Sequence, residues 1–144
     1  MSEIDLKRFA FLSDLTDSDR EVVADLLEPI ELATGRQLFR EGQEAEGLIL
    51  IDQGELRLEG QRSGEIGSCG AGAAIGGLSL LAVGPREITA VAVAPTRVLQ
   101  LSRSAFLRLA EDFPRTGLRL IEAIVTEIAG ALRDGLDGFT SSAG

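Results

Sequence analysis

The spacing of hydrophobic positions changes twice along the chain. Up to Leu27 the apolar residues fall at helical intervals: Phe9, Phe11 and Leu12 first, then Val22, Val23, Leu26 and Leu27. Thr16 followed by Asp19 reads as an N-cap with its capping-box partner. Pro29 has no N–H to extend a helical ladder and closes the segment, so N-terminal helices are expected within 4–28. From Ile30 to Leu101 the period becomes two. Ile30 and Leu32 precede Gly35, and Leu38 and Phe39 precede Gly42. Leu48 to Ile51 is a continuous apolar run, the mark of a strand buried on both faces. Gln53-Gly54 predicts a tight turn into Glu55-Leu56-Arg57-Leu58-Glu59, which alternates cleanly. Further runs lie at Ile88, Val91 and Val93 and from Val98 to Leu101. Short strands punctuated by glycine turns predict an antiparallel jelly-roll barrel, a double-stranded β-helix, over 29–103.

Beyond the barrel the helical period returns. Ser104 is expected to cap a helix from Ala105 to about Asp112, and Pro114 suits the first turn of a longer helix ending near Leu136. Leu118, Ile121, Val125, Ile128 and Leu132 are spaced 3, 4, 3, 4, which is a heptad seam. Leu120 and Ile124 form a second stripe that faces the barrel. With that stripe covering the core, the heptad seam is available for a two-fold helix pair, and a homodimer is expected. The fold class is thus mainly β with flanking α-helices. One domain spans 1–137, its C-terminal helices at 104–137, and 138–144 reads as a flexible tail.

Composition narrows the function. The 14 basic and 23 acidic residues leave a net charge of −9, which repels phosphate backbones and anionic lipid, so neither direct nucleic-acid binding nor membrane attachment is expected. The chain has no His, which excludes Ser-His and Cys-His catalysis and His-ligated metals. The lone Cys69 excludes an internal disulfide or a multi-Cys zinc site and suits a reducing compartment. With no basic neighbour or second thiol, it reads as a small packed thiol and not as a redox sensor. No apolar leader and no stretch of roughly 20 apolar residues is visible, so a cytoplasmic location is expected. No catalytic constellation, metal site or certain cofactor is evident.

The region from Gly64 to Val91 carries the chemistry. It reads Gly64-Glu65-Ile66, then Cys69-Gly70-Ala71-Gly72-Ala73-Ala74-Ile75-Gly76-Gly77-Leu78-Ser79-Leu80-Leu81, then Pro85-Arg86-Glu87-Ile88-Thr89-Ala90-Val91. This resembles the cyclic-nucleotide-binding domain family of catabolite-activator-type regulators, kinase regulatory subunits and gated channels. The family's phosphate-binding cassette runs Gly-Glu-Leu-Ala-Leu, a short gap, then Pro-Arg. Gly76, Leu78, Leu80, Pro85 and Arg86 stand at matching positions, with nine residues between Gly76 and Arg86. Phe39-Arg40-Glu41-Gly42 and Asp52-Gln53-Gly54-Glu55 look like the family's glycine corners. The resemblance runs from about Leu6 to Leu136.

The resemblance implies a regulatory or sensor module without catalysis, with cAMP or cGMP as ligand. It also implies that ligand binding moves the cassette and shifts the C-terminal helix. The single charge of a cyclic phosphate would be met by backbone or hydroxyl groups of Gly76, Gly77, Leu78 and Ser79 and by the Arg86 guanidinium. Three departures weaken that site. Gly77 stands where the family has the glutamate that accepts from the ribose 2′-hydroxyl, a loss of about 1.5–3 kcal/mol, or about one to two decades of affinity. Glu87 replaces a small or hydroxyl residue beside the phosphate, although a strand would turn it to the opposite face from Arg86. Ala131 and Leu132 stand where some members contact the base with a hydroxyl.

A cyclic nucleotide is therefore expected to bind weakly or not at all, and a small anion or an unknown protein partner takes its place among the readings. Arg86 paired with a nearby carboxylate is the plain alternative to a ligand role, and turn chemistry is the alternative to an anion nest at Gly70, Gly72, Gly76 and Gly77. A catabolite-activator-type transcription regulator is the alternative function. About eight residues follow Leu136, too few for a recognition helix, so DNA binding by this chain is not expected. A metal-dependent enzyme on a similar barrel lacks its histidines.

Overall fold

The computed structural model describes residues 5–62 and 64–143, and their side chains except those at 131 and 135–143. At the N-terminus the expected helix is broken into two 3-10 turns, Leu6–Arg8 and Ala10–Leu12, followed by α1 (Asp17–Ala24). The reason lies in the spacing of Leu6, Phe9, Leu12 and Leu15. All four are buried, and a repeat of three matches the three residues per turn of a 3-10 helix. The capping box forms as expected: Asp19 N–H donates to Thr16 Oγ1 at 3.1 Å, and Thr16 N–H donates to Asp19 Oδ2 at 3.2 Å.

The barrel comprises β1 (Glu28–Leu32), β2 (Gln37–Phe39), β3 (Gly47–Gln53), β4 (Glu55–Gly60), β5 (Gly64–Gly70), β6 (Ala74–Ile75), β7 (Thr89–Ala92) and β8 (Thr96–Ser102). They form two antiparallel four-stranded sheets in the orders β1-β8-β3-β6 and β2-β7-β4-β5. The fold is the expected jelly roll with flanking helices. In β3, Leu48 and Leu50 enter the core beneath the helices, while Ile49 and Ile51 enter the core shared by the two sheets. Two cores, one on each face, are why that strand is apolar without alternation.

Gln53-Gly54 does not close a hairpin, because β3 and β4 lie in different sheets and the chain crosses between them at this corner. Gly54 takes φ 94°, and a Cβ there would fall 2.6 Å from the Pro95 carbonyl oxygen, so this close corner requires glycine. β5 was not anticipated. Among the described residues it pairs only with β4, and it is largely exposed and contains Gly64, Gly67 and Gly70, so it carries no alternating signal.

α2 (Arg103–Asp112) is capped by Ser102 and not by Ser104, since Ser102 Oγ accepts from Ala105 N–H at 3.1 Å. α3 (Pro114–Ala143) begins at Pro114 as expected. It runs past the end foreseen near Leu136, into the stretch read as a tail. Its inward stripe is as foreseen, with Leu120 0% and Ile124 1% exposed. On the other side Leu118, Val125 and Leu132 are 57%, 53% and 63% exposed, while Ile121 and Ile128 pack partly against the core. The buried carboxylate of Asp19 ties α1 to α3, accepting from Thr116 Oγ1 at 2.6 Å and from Arg119 Nη1 at 2.8 Å.

Candidate ligand-binding site

The segment between β6 and β7 builds the cassette. Gly76 takes φ 78° and turns the chain into a single 3-10 turn, Gly77–Leu80. Inside that turn Ser79 donates both its N–H and its hydroxyl to the Gly76 carbonyl, so the hydroxyl proposed for phosphate is already engaged. The chain then returns antiparallel to residues 42–45. Ala45 N–H donates to Gly84 O at 2.9 Å, Arg86 N–H to Gln43 O at 2.6 Å and Gly42 N–H to Arg86 O at 2.8 Å. These bonds hold the Arg86 backbone in place ahead of β7.

The Arg86 side chain reaches back under the cassette and is 8% exposed. Its Nη2 donates to the Gly47 carbonyl at 3.0 Å, and its guanidinium carbon lies 4.2 Å from the centre of the Phe39 ring. A Cβ at Gly76 would land on Nη1, so the glycine is needed for this close approach as well as for its φ. Among the described residues no carboxylate comes within ion-pair distance of Arg86, although other arginines find acids. The plain alternative, an arginine neutralised by a neighbouring acid, is therefore not what the structure shows. Burial pushes the guanidinium below its ordinary value, and the field of Glu46 opposes that shift. A buried cation stabilised by one carbonyl and an aromatic face is only partly compensated.

A cavity of 350 Å³ opens beside this guanidinium. Gly76, Leu78, Ser79, Arg86 and Glu87 all line it, so the structure gathers five of the six expected site residues. Gly77 is the exception. It faces α3, where an added Cβ would lie 3.4 Å from the Ile124 side chain, and it lines an adjoining 220 Å³ recess with Ile124, Glu127 and Ile128, bordered also by Gly76 and Leu78. The glycine nest does not assemble either, because Gly72 borders a third cavity of 510 Å³ with Phe11 and Arg119. Glu87 also departs from expectation. Residues 85–88 precede the strand, so strand alternation does not separate Glu87 from Arg86, and both border the same cavity. Phe39, Ile75 and Val83 complete the wall and were not foreseen as site residues. Phe39 stood in a glycine-corner motif, but the Gly47 carbonyl is a backbone group with no signature in sequence. Among the described residues no cluster of acids and thiols is arranged for a metal ion.

Residues 29–113, more than half of the chain, match the model of the cyclic nucleotide-binding domain. The chain belongs to this family. Over 104 residues the domain is 33% identical to a cAMP-dependent protein kinase regulatory subunit of Eremothecium gossypii, matching 72% of this chain and 23% of that protein. Over 112 residues it is 31% identical to the lysophospholipase nte1 of Neurospora crassa, matching 75% of this chain and 7% of that protein. The domain thus spans less than a quarter of either relative. The catabolite activator protein of Thermus thermophilus has the same fold, with a TM-score of 0.79 at 23% identity over 92% of this chain and 62% of that one. No helix among the described residues is long and apolar enough to cross a membrane.

Proposed function

We propose that this cyclic nucleotide-binding domain is a non-catalytic cytoplasmic regulatory module whose ligand site is the cavity beside Arg86. The observation that carries the reading is a buried guanidinium with no acid partner among the described residues, bordering a cavity built by the cassette. An anion in that cavity would compensate the charge through a charge-assisted fork. The domain lacks the ribose-binding glutamate at Gly77, so cAMP and cGMP bind weakly or not at all. Calorimetric titration of both nucleotides tests this. Any isotherm is expected to be weak and to vanish in Arg86→Gln, whereas tight binding, or binding that survives the substitution, refutes the reading.

The output side of the module is α3. Gly77 in the cassette lies against Ile124, so displacement of the cassette is passed to the helix by direct contact. The exposed face of Leu118, Val125 and Leu132, with Ile121 and Ile128 at its border, supports pairing with a second copy. Sedimentation velocity is expected to show a dimer that Val125→Glu converts to a monomer.

A further inference from the structure

Resting on the reading that the cavity beside Arg86 is the ligand site, we infer that its preferred ligand is a small organic monoanion, a carboxylate on an apolar or aryl body without a ribose. The lining is the basis. Among the described residues Arg86 is the single basic one bordering the cavity, and Glu87 adds one negative charge at the same wall. One cation opposed by one acid suits a single negative charge and disfavours a dianion. Most of the remaining wall is apolar: Phe39, Ile75, Leu78, Ala82, Val83 and Ile88.

Hydroxyl groups of a sugar find little there. The Ser79 hydroxyl donates to Gly76 O within its own turn, and Gly77 supplies no side-chain acceptor and faces α3. Apart from the Glu87 carboxylate and the engaged Ser79 hydroxyl, that wall offers a ribose no side-chain acceptor, whereas a hydrocarbon or aryl body would exchange water for matching surface. Leu78 and Val83, 56% and 62% exposed, extend the same apolar surface to the mouth. The volume of 350 Å³ is at the lower end of the about 300–1,000 Å³ typical of ligand pockets. The Phe39 ring, stacked on Arg86, holds the guanidinium at this wall and compensates its charge only in part, which leaves it able to take a carboxylate.

The test uses the full chain and two ligand pairs, read by calorimetry and by ligand-observed NMR. The first pair is 3-phenylpropionate and its neutral amide; the second is cAMP and 2′-deoxy-cAMP. Phenylpropionate is expected to bind more tightly than cAMP, and the amide to be weaker than the acid by about ten- to a hundredfold, the worth of a charged hydrogen bond. Removing the 2′-hydroxyl is expected to leave nucleotide affinity unchanged, or both nucleotides to stay unbound. If cAMP binds more tightly than phenylpropionate and its deoxy analogue loses tenfold or more, the ribose is read and this inference is overturned, while the Arg86 site stands. If neither acid nor nucleotide binds, or if Arg86→Gln, checked for an unchanged circular dichroism spectrum, binds phenylpropionate as well as the parent, the site itself is refuted. The acid-against-amide comparison needs no variant and decides the case even if Arg86→Gln does not fold.

Discussion

Replacing Asp19 by Asn probes the tie that holds α3 in position over the cassette. The carboxylate is buried and would by that burial be pushed upward, but hydrogen bonds from Thr116, Arg119 and Thr16 outweigh the burial and hold it at about 2 instead of 3.8. That gap corresponds to about 2.4 kcal/mol, and screening around the half-exposed Arg119 reduces the expected contribution to about 1–2 kcal/mol. Because the folded-state value lies below the unfolded one, the stabilisation is complete above about pH 4. It fades as pH falls from 3.8 toward 2, and is absent once the acid is protonated in both states. Urea denaturation followed by circular dichroism at pH 7, 5, 3 and 2 is the assay. Asp19→Asn keeps a side-chain oxygen for Thr116 and replaces the one that accepts from Thr16 and Arg119, so the difference between parent and variant reads the charge together with the two bonds it accepts, while other titrating acids cancel. The variant is expected to be less stable by about 1–2 kcal/mol at pH 7, with the difference shrinking toward zero at pH 2. A difference that stays constant across that range would refute the electrostatic account, and one below about 0.3 kcal/mol at pH 7 would refute the tie itself.

Other positions give sharper contrasts. Gly76→Ala places a β-carbon on Arg86 Nη1 at φ 78° and is expected to cost about 2–4 kcal/mol and abolish anion binding, measured by thermal unfolding and by titration. Ile124→Ala removes a side chain 1% exposed and is expected to cost about 2–5 kcal/mol, whereas Val125→Ala, one residue on but 53% exposed, changes monomer stability by less than about 0.5 kcal/mol. A large loss at Val125 in a monomeric background would show that α3 is rotated from the orientation described. The Cys69 thiol is raised first by burial and then by the field of Glu55, so alkylation by iodoacetamide at neutral pH is expected to be slower than for an exposed thiol and to speed up in Glu55→Gln. Equal rates in parent and variant would remove Glu55 from that account.

The elements that depend on local chemistry were legible in the chain. Thr16 and Asp19 announced their capping box, Pro114 the start of α3, and Leu48 to Ile51 a strand with both faces buried. Arg86 and the cassette glycines were found through their order along the chain, which survives even where a side chain has changed. Tertiary structure decided the rest. That Gly54 turns between sheets, that β5 exists, and that Gly77 faces α3 instead of the Arg86 cavity all depend on which strands pair across long separations. The charge state of the site was undecided for the same reason. In a chain with 23 acids any arginine has candidate partners, and only the packing of Phe39, Gly47 and the cassette around Arg86 leaves it without one among the described residues. Hydrophobic period and capping act within a few residues of one another and are written locally. Burial of a charge is a property of the surroundings, which only the folded chain supplies.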